Sequence, residues 1–362
     1  MTPQDVVTQT SNPVKPELPK WQRPEKTKHG IPWANIQIID LSTFDEPGGK
    51  AKLAAELRDA IHHTGFFSVV GTGISRAEVQ RQLPIAQAFF RLPHEAKARP
   101  ERPSAAPRSG TTVEQWDHAK FTELYEKEAR RPFFEPFQDE IDDFSRKALD
   151  VALKLLELSP AFFADQHRYG SPSDDHLRYM SYRPRPLADD AQVENTWTRA
   201  HTDFGTLTLL WSQNVAGLQI KTNSSSSSCS SSNSAASCEG EGEGEWKSTT
   251  HHVVRPPPDQ LGANQLGLFY FVRPGDDAEI APAAASPLLR RLGLVKSSSR
   301  SEEAMKEKKM VQEEQQKKKK EKVTGRMYVR ERVKDYHSHG DYADRKGQVF
   351  QVGNLRIVDE AR

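Results

Sequence analysis

Apolar residues recur every three or four positions up to about Leu158, and after about His176 they come in short runs of strand length. A chain with that order is constrained to build helices first and a β core afterwards. Lys50 to Thr64 carries Leu53, Leu57, Ala60 and Ile61 at helical spacing, with Gly65 placed to stop the helix. Phe66 to Val70 follows as a buried strand, and Ile36 to Asp40 reads as an earlier one. Ser75 and Glu78 form a capping-box pattern. The helix they open runs to about Arg91, places Val79, Ala86, Phe89 and Phe90 inside, and contains Pro84, which predicts a kink. A third helix fits Asp139 to Leu158. The strand half contains Leu177 to Tyr182, Thr206 to Trp211, Gly217 to Lys221 and Leu268 to Val272.

Polar tracts interrupt this pattern and account for a hydrophobic fraction of only 35% in 362 residues. Residues 1–30 are polar and proline-rich and read as a disordered lead-in. Asn223 to Gly244 is almost wholly Ser, Gly, Glu, Asn and Ala, and cannot bury enough apolar surface to order itself. Ser297 to Lys322 is Ser-rich, then Lys- and Glu-rich, and reads as solvated helix or disorder. Cys229 and Cys238 both fall in the serine tract, so no disulfide framework is implied. The net charge of +1, without basic residues interleaved with aromatics, argues against a nucleic-acid partner. No apolar run approaches the roughly 18 residues of a spanning helix, and the first 30 residues lack a signal-peptide core. The expectation is a cytoplasmic monomer without a membrane partner.

His201-Thr-Asp203 is the chemical centre of the sequence. Side chains at i and i+2 on extended backbone point to one face, so an imidazole and a carboxylate can grip one ion. With one further histidine they make a facial set suited to Fe(II), with coordination positions left open. A second match, His339-Gly-Asp341, sits in a polar stretch without strand pattern and reads as accidental.

His201 to Leu210 resembles the metal-binding stretch of the 2-oxoglutarate-dependent dioxygenases of the isopenicillin N synthase-like group. Ile31 to Phe44, Thr64 to Gly71, Ala88 to Pro93, Leu177 to Tyr182, Gly217 to Lys221, Lys247 to His251, Leu268 to Phe271 and Ser286 to Leu292 continue the likeness in order. The resemblance implies a mainly β fold with flanking helices, a double-stranded β-helix or jelly roll. It implies an N-terminal region over 31–160, a core over 173–277 with the low-complexity insertion 223–244, and an extension over 278–362. It makes His251 the third ligand beside His201 and Asp203, with the adjacent His252 as the alternative. It implies Fe(II), with 2-oxoglutarate and O2 as cosubstrates and ascorbate as an optional auxiliary. The activity would be hydroxylation, desaturation or ring formation on a small organic molecule of secondary metabolism, or, in a non-catalytic relative, binding alone.

Two departures from the family pattern bear on this. Trp246 runs directly into Lys247 where relatives carry about two further core strands, so the jelly roll is expected to be incomplete. The Arg-x-Ser pair that holds the distal carboxylate of 2-oxoglutarate reads Gln265-Leu-Gly267 here. Gln265, with Tyr182 and Arg178 on the strand that borders this pocket, is therefore the candidate cosubstrate-binding set. Arg255, Arg273 and Arg183 are the other cations that could substitute.

Overall fold

In the computed structural model, the described residues are 15–93, 111–116, 133–158, 164–221, 249–281, 322–338, 349–352 and 355–358. The expected insertion 223–244, the Trp246–Lys247 junction, Ser297 to Glu321 and the His339-Gly-Asp341 match lie outside them.

The three long helices form where the apolar periodicity places them: α1 (Gly49–His63), α2 (Arg76–Arg91) and α3 (Gln138–Glu157). Ser75 caps α2 by a full reciprocal capping box with Glu78, and the helix runs unbroken through Pro84. The parallel pair β1 (Gln37–Asp40) and β2 (Phe67–Val70) flanks α1. The main sheet has the order β3-β4-β9-β6, from β3 (Thr111–Trp116), β4 (His176–Tyr182), β9 (Gln265–Val272) and β6 (Leu207–Leu210). The pattern gave no expectation of β3, which pairs antiparallel along most of β4. A second sheet has the order β5-β8-β7, from β5 (Thr196–His201), β8 (His251–Val254) and β7 (Leu218–Ile220).

Period-two alternation gives the main sheet two chemically different faces. Leu177, Tyr179, Leu266, Leu268, Tyr270 and Val272 face α2 and α3 and join the largest apolar cluster with Phe89, Ile141 and Phe144. The Tyr179 hydroxyl, fully buried there, donates to Gln82 Oε1 at 2.6 Å. The opposite face meets the second sheet, where Met180 and Tyr182 pack with Trp197 and Val253. The functional side chains come from this inter-sheet space.

Among the described residues β6 ends one sheet and β7 ends the other. Leu210 and Leu218, on these terminal strands, are exposed. An unpaired strand edge with apolar side chains is the local consequence expected when a neighbouring strand is missing.

One expectation is corrected in part. Residues 15–30, assigned to a disordered lead-in, are tied to the fold: Leu18 and Trp21 pack on the main core. The Pro24 and Glu25 carbonyls accept from Asn214 and Gln260, both at 2.7 Å, because a proline-rich stretch must satisfy its carbonyls elsewhere. The extension beyond 278 docks at least in part. Ile280 N–H donates to the Val323 carbonyl, and Arg326 pairs with Asp276, at the start of α4 (Gly325–Ser338). The remaining strands β10 (Val349–Val352) and β11 (Leu355–Val358) form a separate antiparallel hairpin.

The capping box makes a direct stability test. Ser75→Ala should lower the free energy of unfolding by about 1 kcal/mol in a urea titration. Glu78 is hydrogen-bonded by Lys147 and Ser75, which pull its pKa from 4.5 down to about 2. Because the folded value lies below the unfolded one, its contribution is complete above pH 4.5 and disappears as pH falls through about 2. Wild-type and Glu78→Gln urea midpoints should converge across that interval.

Candidate metal centre

Two strands distant in sequence deliver the site. β5 ends at His201, β8 begins at His251, and these two residues are direct cross-strand partners. Asp203 follows two positions after His201, so its carboxylate returns to the face that His201 uses. One donor atom from each of His201, Asp203 and His251 lies within 4.8 Å of the others. His201 Nε2 is 3.6 Å and His251 Nε2 is 3.9 Å from Asp203 Oδ1. The imidazole centroids are 4.4 Å apart. Two imidazoles and one carboxylate converging from one side fit an Fe(II)-type ion and leave the other side open.

The alternation of β8 turns His251, and not His252, toward His201 and Asp203. His252 is turned away and lies 2.6 Å from Gln219 Oε1 on the exposed side. His251 is held from behind instead. Its Nδ1 lies 3.1 Å from the Thr249 carbonyl, which fixes Nδ1–H as donor and leaves Nε2 toward the ion. Thr249 in turn donates from its hydroxyl to the Thr64 carbonyl at 2.6 Å. The Phe66 ring meets the His251 ring edge-on at 5.4 Å. Gly65 permits this docking. It sits at φ +65°, and a Cβ there would collide with the Thr249 hydroxyl. The helix stop read from sequence thus also seats the third ligand.

Burial and neighbouring charge act on these groups in different directions. Burial pushes the Asp203 carboxyl up, but hydrogen bonds from His201 and Thr208 and the charge of His251 outweigh it and hold the pKa at about 2. Asp203 is therefore an anion at neutral pH. Burial, with the nearby His201 charge, lowers the His251 pKa from its ordinary value, against the opposing pull of the Asp203 anion.

One supporting residue was not singled out from sequence. Thr208 donates from Oγ1 to Asp203 Oδ2 at 2.6 Å and fixes which carboxylate oxygen is free. The signal was present in Thr206-Leu-Thr-Leu-Leu210: the second threonine falls where the alternation predicts an inward face.

The candidate cosubstrate residues do not gather at one point. Tyr182 and Gln265 are direct partners across β4 and β9. Gln265 is nine-tenths buried, and its Oε1 has no hydrogen-bond partner among the described residues. The Tyr182 hydroxyl accepts from Thr198 at 3.2 Å. Gly267 lies on the same face, and the Phe269 ring occupies the space that a side chain there would take. Arg178 stands four residues before Tyr182, about 13 Å along the strand, with its guanidinium 4.4 Å from the Phe271 ring centroid. Of the other arginines, Arg183 donates to the Phe90 carbonyl at 2.6 Å. Arg273 pairs with Asp174 and covers Phe204 at 4.2 Å.

A facial His-Asp-His set between two sheets backed by helices defines a non-haem iron type of centre. Residues 36–140 match the family model described as non-haem dioxygenase in morphine synthesis N-terminal. A UPF0676 protein of Schizosaccharomyces pombe is 28% identical over 209 residues, 51% of this chain and 63% of that protein, so the match spans a little under two thirds of that relative's length. The 2-oxoglutarate-Fe(II) type oxidoreductase ppzD of Metarhizium majus is 25% identical over 250 residues, 56% of this chain and 70% of the relative. Among solved structures, a full-length Neurospora crassa protein crystallised in complex with alpha-KG and 5-formyluracil has a TM-score of 0.56 at 18% identity, covering 82% of this chain and 95% of that one. The chain is thus similar in sequence to a 2-oxoglutarate-Fe(II) type oxidoreductase and in fold to the Neurospora crassa protein. Among the described residues, no helix is long and apolar enough to cross a membrane.

Metal titrations test the ligand set. His251→Ala should weaken binding of one Fe(II) per chain severely, whereas His252→Ala should leave it within about twofold. Thr208→Val should cost about tenfold in affinity by loosening Asp203. Equal losses at His251 and His252 would contradict the geometry.

Proposed function

We propose that this protein is an Fe(II)- and 2-oxoglutarate-dependent dioxygenase that oxidises a small organic molecule in the cytoplasm. The observation that carries the reading is the convergence of His201, Asp203 and His251. The six strands β4 to β9 are read as part of an eight-stranded jelly roll. Their distribution over two sheets fits that fold, and the two strands that complete the pattern belong between β7 and β8. That interval contains the Trp246–Lys247 junction. The terminal positions of β6 and β7 in their sheets, among the described residues, support this placement.

The protein's part is positional. His201, Asp203 and His251 would hold the iron on one face, and Thr208 and Thr249 keep two of these ligands oriented. When bound, iron with 2-oxoglutarate and O2 supplies an oxidation of the substrate coupled to conversion of 2-oxoglutarate into succinate and CO2. Tyr182, Thr198 and Gln265 would receive the distal carboxylate. Gln265 Oε1 is a buried acceptor without a partner among the described residues, and turning the amide about its last torsion presents the NH2 donor instead. These donors are neutral, so they fit a carboxylate less strongly than a guanidinium does. This favours weak cosubstrate binding. It also gives a second reading some support: a metal-binding relative that no longer turns over 2-oxoglutarate.

Protein purified without oxygen, loaded with Fe(II) and given 2-oxoglutarate and air should form succinate even without added substrate, at a slow uncoupled rate. Gln265→Leu should raise the half-saturating 2-oxoglutarate concentration about tenfold, the worth of one hydrogen bond to a charged group, with Fe(II) binding unchanged. Stoichiometric Fe(II) binding without succinate would select the inactive relative, and absence of Fe(II) binding would reject the site.

A further inference from the structure

We infer that the corner Thr64–Gly65–Phe66 is a positioning element of the metal centre, with Phe66 as its positioning residue, so that docking of the corner and uptake of the metal strengthen each other; this rests on the metal-binding part of the reading above. The corner belongs to the helical half of the chain, and the ligand it touches belongs to the strand half. Its contact with the centre spans the 185 positions between Thr64 and Thr249.

The corner is itself rigid. The Thr64 and Gly65 N–H groups both donate to the Ala60 carbonyl at 3.0 Å and end α1. The Thr64 hydroxyl donates to the Phe66 carbonyl at 2.6 Å. β2 follows at once, and its parallel register with β1 begins at the Gln37–Phe67 pair. Phe67 packs on the apolar cluster of Ile39, Leu53 and Leu155. The neighbouring Phe66 meets the His251 ring instead, at 5.4 Å and 74° between planes. Two adjacent aromatic residues thus anchor the corner to the core and to the centre.

Three contacts converge on the short segment from Thr249 to His251. The Thr249 hydroxyl donates to the Thr64 carbonyl at 2.6 Å, so the corner fixes Thr249. The Thr249 carbonyl holds His251 Nδ1 at 3.1 Å. A single hydrogen bond pins one point of an imidazole and leaves its plane free to rock; the edge of the Phe66 ring removes that freedom. Gly65, with no Cβ, lets the two segments approach this closely. The His201 ring lies 4.4 Å from the His251 ring, centroid to centroid, so rocking of His251 changes the donor spacing directly. A metal ion therefore binds more tightly when the corner is docked, and by reciprocity a bound ion holds the corner in place.

The test uses full-length protein without oxygen, with Fe(II) titrations and amide hydrogen exchange read on the same samples. Saturating Fe(II) should slow exchange of the Thr64 and Gly65 amides in wild type at least about threefold. Phe66→Leu should weaken Fe(II) binding about threefold to tenfold, the fold-change equivalent of an aromatic edge contact. Thr249→Val should weaken it about tenfold, whereas Thr249→Ser, which keeps the hydroxyl, should stay within about twofold of wild type. Ser75→Ala lowers stability at a different helix end and should leave Fe(II) affinity unchanged. Unchanged affinity in both Phe66→Leu and Thr249→Val overturns the inference. So does Fe(II) binding that leaves exchange at the corner untouched. A loss in Ser75→Ala as large as in the corner variants also overturns it and makes the corner a stability element only. Wild type that takes up no Fe(II) rejects the metal centre and the inference with it, a result distinct from intact uptake with indifferent variants.

Discussion

Three donor groups can share one cation here because β5 and β8, whose pairing shifts register twice between Thr196 and His201, meet at the His201–His251 pair. The His201–His251 cross-strand contact brings together residues fifty positions apart. A slip of one residue along β8 would present His252 to the centre and turn His251 to solvent, because side chains alternate strictly between the faces of a sheet. The registry is reinforced from outside the pair. The corner at Thr64–Gly65–Phe66 clamps Thr249, and Thr249 orients His251. A helix end, a left-handed glycine and an imidazole tautomer are therefore one mechanical unit.

Burial and charge are balanced within the same unit. Removing Asp203 from water disfavours its anion, yet two imidazoles and the Thr208 hydroxyl more than offset that cost. The imidazoles themselves stay half-buried, and His251 is biased toward the neutral form. Asp203 is thus an anion and the three donor atoms already converge, so little reorganisation accompanies metal binding.

Much of this arrangement could be read from residue pattern, for a physical reason: it depends on local periodicity. Leu53, Leu57 and Ala60 marked α1, the span Asp139 to Leu158 marked α3, and the i, i+2 spacing of His201 and Asp203 marked the first two ligands. Choosing His251 over His252 required the resemblance first and the strand register afterwards. Features set by distant contacts were not readable. Leu18 and Trp21 lie in a polar, proline-rich stretch, and only the docked structure shows that they have a core to pack on. The role of Gly65 at Thr249 depends on a neighbour 184 positions away. Gln265, Tyr182 and Arg178 were grouped by the family pattern, and the antiparallel register separates the arginine from the other two.

X-ray absorption at the iron edge of the Fe(II)-loaded protein tests the central claim most directly, since it reports the identity of the atoms around the ion. The account predicts scattering from two imidazoles with oxygen donors completing a single iron environment. Iron surrounded by oxygen alone, or by one imidazole, would contradict the pairing of His201 with His251 on which the site depends.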